Sequence, residues 1–121
     1  MKLHRVGFFR ELEYGDPLGP SLRDAVRSSV TYDKKALMKY LSSAAWFAWA
    51  PGLAGDVLNP SASFSDPYAI LTDGVWVWPE SLAYYVETYN VELPYEFLEH
   101  VKRMAFIPPD KKDIDIRALE F

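Results

Sequence analysis

Glu80, Tyr84 and Glu87 stand at the i, i+4, i+7 interval of one helix face, and Glu92, Glu96 and Glu99 repeat that interval further along the chain. Two such faces side by side would form a negative ridge, with Tyr84 and Tyr95 adding contact area, that speeds encounter with a basic protein. The plainer alternative is a pair of solvated helix faces, with Glu80 favouring a helix N-terminus and Glu96 and Glu99 pairing locally with His100 and Arg103. A second constellation is aromatic: Trp46, Trp49, Trp76 and Trp78 either line a pocket for a small molecule or fill a core. Familiar catalytic sets are missing. The two histidines, His4 and His100, supply at most a Glu96-x-x-x-His100 pair, which falls short of a three-ligand catalytic metal set. There is no Gly-x-Ser-x-Gly elbow and no glycine-rich phosphate loop, and among 17 acids no spacing singles out a glycosidase pair. No catalytic residue, metal ligand or cofactor is therefore assigned.

Elements must position these side chains. Residues 6–9 read as a first strand and 15–20 as loop. Ser21 caps a short helix over 21–30, and Asp33 caps a second over 34–43, with Leu37, Tyr40, Leu41 and Ala44 on its inner face. Residues 46–50 read as a strand that Pro51-Gly52 stops, and 52–67 as an ordered surface connection. The clearest local signal is a hairpin over 69–78 whose turn is Asp73-Gly74, of the two-residue type I′ kind. Trp76 and Trp78 share one face of its second strand and Val75 and Val77 the other, so that strand belongs inside the sheet. Asp73 is expected to serve the turn. Pro79 fits the first position of a helix ending at Asn90, and Pro94 opens another reaching about residue 107. The alternation over 113–117 adds a short edge strand. The expected fold is a single α+β domain over 1–121, a small antiparallel sheet built on hairpin 69–78 and covered by about four helices.

The chain has 121 residues, half of them apolar and 16 % aromatic, which suits one folded domain and argues against disorder. Thirteen Lys and Arg stand against 17 Asp and Glu, a net charge of −4 that offers no basic surplus for nucleic acid. With no cysteine, disulfides, thiol catalysis and cysteine zinc sites are excluded. No apolar run approaches the roughly 20 residues of a membrane helix, and no signal-peptide stretch follows the first residues, so no membrane partner and a cytoplasmic location are expected. The charge is segregated. Residues 40–101 contain no Lys or Arg and eight acids, while the flanking segments are slightly basic.

Thr72-Asp73-Gly74-Val75-Trp76-Val77-Trp78-Pro79, followed by Leu82-Ala83-Tyr84-Tyr85-Val86, Tyr89, Leu93-Pro94 and Glu96-Phe97-Leu98, resembles a block found in a family of small uncharacterised bacterial proteins. The opening Gly7-Phe8-Phe9-Arg10-Glu11, with Gly15-Asp16 and Pro20-Ser21-Leu22, resembles the start of the same family. The Trp-Pro-helix block is also similar to those of immunity proteins from polymorphic toxin systems, and that resemblance implies a small, acidic, non-enzymatic binding protein. The leading expectation is thus a protein-binding module, an immunity or inhibitor protein whose Glu80, Tyr84, Glu87, Tyr95, Glu96 and Glu99 meet a basic toxin or nuclease. The alternative is a small-molecule-binding or catalytic domain with a pocket lined by Trp46, Trp49, Trp76 and Trp78. A third is a homo-oligomer paired through the hairpin or the Ile114/Ile116 tail.

Overall fold

Helix formation begins where an acid or hydroxyl side chain meets orphan backbone donors. In the computed structural model, which describes residues 2–121, the Asp33 carboxylate accepts from the Ala36 N–H at 3.1 Å and opens a helix over Lys34–Ser43. Ser21 does the same for Asp24, but the helix it starts is only Leu22–Ala25. It stops early because the chain extends to pair with residues 89–92: the Glu92 N–H donates to Ala25 O at 2.8 Å, and the Arg27 N–H to Tyr89 O at 3.1 Å. These helices are α1 (Leu22–Ala25) and α2 (Lys34–Ser43); α3 is Leu82–Tyr89 and α4 Tyr95–Arg103.

The strands are β1 (His4–Arg5), β2 (Ala45–Ala54), β3 (Asp66–Thr72) and β4 (Trp76–Pro79), ordered β1-β4-β3-β2. β2, β3 and β4 are antiparallel, as expected, whereas β1 adds to β4 in parallel, so the sheet is mixed. β4 lies inside the sheet, flanked by β1 and β3. The first strand falls at 4–5 and not 6–9, because Gly7 takes a positive φ of 80° that turns the chain away from β4.

The hairpin forms with a shifted pairing. Thr72 pairs with Val77, the Asp73 N–H donates to Trp76 O at 3.3 Å, and the two-residue loop is Gly74-Val75. Gly74 alone has positive φ in the turn, which excludes the expected type I′ turn at Asp73-Gly74. Asp73 instead holds the loop through Oδ1, which accepts from the Val75 and Trp76 N–H groups at 3.0 and 2.7 Å. Three further expectations are corrected. β2 continues through Pro51-Gly52, since an edge strand with register shifts tolerates proline and Gly52 takes a φ of 106°. Pro79 ends β4 rather than starting α3, because Ile70 pairs with it. The 113–117 stretch forms no strand; two 3₁₀ turns, Lys111–Asp113 and Ile116–Ala118, precede a lone bridge between Lys2 and Glu120.

Alternation along the strands builds a core on each face. Leu71 and Trp78 turn toward the helices and join Leu37, Tyr40, Tyr85 and Phe97, whereas Val77 turns the other way with Leu3 and Phe8. The Trp78 indole N–H donates to Leu41 O at 3.0 Å, so it satisfies one of the unpaired carbonyls in the last turn of α2. Among the described residues, no helix is long and apolar enough to cross a membrane.

Candidate functional site

A cavity of about 600 Å³ opens beside the sheet, walled by 48–50 of β2, 67–70 of β3, residues 79–81, parts of the 8–14 and 54–64 loops, and Phe121. Two of those walls are loops, so the site depends on what holds them. The 8–16 segment turns through hydrogen bonds from Leu12 N to Phe9 O and from Gly15 N to Leu12 O, both 3.1 Å. A Cβ at Gly15 would lie 1.9 Å from Phe9 O, so only glycine closes this turn. It delivers Glu13 and Tyr14 to Tyr68: the Tyr68 hydroxyl donates to Glu13 Oε2 at 2.6 Å, and the Tyr14 and Tyr68 rings meet edge to face at 4.7 Å. The Glu13 hydrogen bond, with burial, pushes the Tyr68 hydroxyl up to about 12.

The loop between β2 and β3 is clamped by α3. Asp56, only 5 % exposed, accepts from the Tyr84 and Tyr89 hydroxyls at 2.7 and 2.5 Å and from the Leu58 and Asn59 N–H groups at 2.8 and 3.1 Å. Tyr85 Oη receives the Val57 N–H at 3.0 Å and donates to Gly55 O at 3.2 Å, while Phe64 stacks on Tyr84 with ring centres 3.7 Å apart. Burial works against the Asp56 charge, yet the four donors outweigh it and hold this carboxyl below its ordinary range.

Glu80 sits at the cavity wall with the opposite balance. Its backbone N–H donates to Ala69 O at 2.9 Å, while Oε2 is shielded from water and has no hydrogen-bond partner. Burial, and then the nearby Asp66, push the Glu80 carboxyl up; burial does the same to Asp66. No Lys, Arg or His lines the cavity, which falls largely within the cation-free run of the sequence.

The residues singled out in the sequence are dispersed. Of the four tryptophans only Trp49 lines the cavity, where it is 70 % exposed. Trp78 is fully buried, Trp76 packs edge to face on Phe97 at 5.2 Å, and Trp46 is exposed outside the cavity. The other cavity rings, Phe8, Tyr14, Phe64, Tyr68 and Phe121, were not anticipated. The negative ridge is interrupted as well. Glu80 faces the cavity and Tyr84 is engaged by Asp56, leaving Glu87, Tyr95 and Glu96 exposed. Glu99 is held by the Tyr95 hydroxyl at 3.0 Å and Lys102 at 3.2 Å, and Glu92 pairs with Arg27.

A second polar cluster, apart from the cavity, joins α2, the hairpin turn and α4: Asp73 Oδ2 accepts from the Tyr40 hydroxyl at 2.6 Å and lies 2.8 Å from His100 Nε2. His100 therefore reaches across to the hairpin instead of pairing with Glu96. Among the described residues, His, Asp and Glu do not gather in a group of three that could hold a metal ion.

Compared with known proteins, the chain matches no family model, no curated protein and no solved structure. The functional reading rests on the site itself.

Proposed function

We propose that this protein binds a small molecule in the aromatic cavity beside β2 and β3. The supporting observation is a preformed concavity of about 600 Å³, walled by six aromatic rings, with a carboxyl group at its wall that lacks a donor for one oxygen. Ligand sites are generally concave, mostly apolar and supplied with a few polar groups, over volumes of roughly 300–1,000 Å³. Both loop walls are secured by side-chain hydrogen bonds within the fold, so little ordering is left for a ligand to impose. The test is a fragment screen read by amide and indole NMR shifts. Binders should move the Trp49 indole together with amides of 67–70 and 79–81; shifts confined to other surfaces overturn the reading.

A second reading, docking of a basic protein against α3 and α4, is favoured by Tyr95, 70 % exposed beside the exposed Glu96. It is narrower than the sequence suggested, since Glu80 and Tyr84 are turned inward. Reversing Glu87 and Glu96 to Lys should slow association with such a partner at low salt, and an unchanged on-rate removes this reading.

A further inference from the structure

The cavity has an electrostatic sign. Its carboxyl side chains are Glu13, Asp56 and Glu80, and no cationic side chain lines it. Glu13 receives the Tyr68 hydroxyl, and Asp56 is saturated by four donors, so neither calls for a ligand. Glu80 differs, because its Oε2 is removed from water with nothing donating to it. A buried acceptor without a donor is uncommon in folded proteins and destabilising where it occurs. Glu80 lines the cavity, and a partial turn about its last side-chain torsion, a broad well, brings Oε2 out of its shielded position toward a donor in the lumen. Aromatic faces carry negative potential, so Trp49, Tyr68 and Phe64 favour a cation over an anion in the same space.

We propose that the ligand is a protonated amine with an apolar or aromatic body, its ammonium N–H donating to Glu80 and its body lying against Trp49 and Tyr68. This rests on the small-molecule reading above. The ammonium supplies what the wall lacks, a donor and a positive charge, and a hydroxyl or carboxylate in its place supplies at most the donor. Asp66, at the start of β3, adds a second negative group near Glu80. The tendency of both groups to hold their protons is relieved once a cation is bound, so binding should release protons and strengthen as pH rises, up to the pH at which the amine itself loses its proton.

The test compares 2-phenylethylamine, 2-phenylethanol and 3-phenylpropionate on the unaltered protein, by calorimetry and NMR, and then on Glu80→Gln. The amine should bind tightest, by about tenfold over the alcohol, with the carboxylate weakest. Glu80→Gln should remove that advantage, bringing the amine down to the affinity of the alcohol on the same variant. If the alcohol or carboxylate binds the cavity as well as the amine does, the amine assignment falls and the small-molecule site stands. If none of the three, nor any other fragment, shifts the Trp49 indole and the 67–70 amides, both fall. The comparison on the unaltered protein needs no variant to fold.

Discussion

Asp73 and His100, 27 positions apart, meet at 2.8 Å between Oδ2 and Nε2, and the Tyr40 hydroxyl reaches the same oxygen at 2.6 Å. One carboxylate thus joins the hairpin to α2 and α4, while its other oxygen holds two backbone N–H groups of the turn. Replacing Asp73 by Ala orphans the buried Tyr40 hydroxyl and the turn donors together. The expected loss is about 3 kcal/mol in urea unfolding, with Tyr40→Phe costing about 1 kcal/mol. Equal, small effects would show that the cluster does not carry stability.

Trp49 and Trp78 should separate stability from binding. Trp78→Ala should cost about 3–5 kcal/mol, since the ring is fully buried and its N–H serves Leu41 O. Trp49→Ala should change stability by no more than about 0.5 kcal/mol and abolish the ligand-induced shifts. Acrylamide quenching checks the assignment directly, because the Trp49→Ala protein should lose a readily quenched component.

The Glu80 carboxyl is raised in the folded state, so the folded chain keeps its proton after the unfolded chain has lost it, and stability falls as pH rises through that interval. Glu80→Gln should therefore unfold at higher urea than the parent at pH 7, by about 0.5 kcal/mol, and match it only below the ordinary carboxylate range, where both folded and unfolded chains hold the proton. A variant less stable than the parent at pH 7 would contradict this.

Glu11 runs the other way. Burial opposes its charge, yet the Arg23 and Leu22 N–H groups and the Ser21 hydroxyl outweigh this and lower the carboxyl to about 2. Its stabilising effect is present above the ordinary carboxylate value and fades as pH falls toward about 2. Glu11→Gln should cost about 1 kcal/mol at pH 7, in the manner of a lost helix cap, and the difference from the parent should shrink in acid. A pH-independent difference would place the effect elsewhere.

Local signals in the sequence carried most of the fold. Asp33 and the Leu37-Tyr40-Leu41 stripe set α2 at its observed ends, Asn90 in left-handed conformation closes α3, and the alternation over 75–78 places β4 inside the sheet. Errors arose where tertiary pairing overrode punctuation: Pro79 is taken by Ile70 across the sheet, and Pro51 is accepted because β2 is an edge. The site was legible only in part. Trp49 and Glu80 were named for different reasons, but their shared cavity needs Phe8, Tyr14, Phe64 and Phe121 from segments far apart in the chain, for which no short-range pattern exists. The one usable trace was the cation-free run of 40–101, together with Tyr84, Tyr85 and Tyr89 crowding one helix opposite Asp56.

If a ligand enters the cavity as proposed, the three tyrosines of α3 that grip the 55–65 loop also set how it comes and goes. A wall fastened at Asp56, Val57 and Gly55 cannot swing aside cheaply, so such a ligand would pass the exposed Trp49 indole by rotation of side chains. Such rotations take picoseconds to nanoseconds at exposed positions, far faster than the opening of a lid. Exchange should be rapid and governed by affinity alone, the behaviour of a receptor that follows the momentary concentration of its ligand and does not store it.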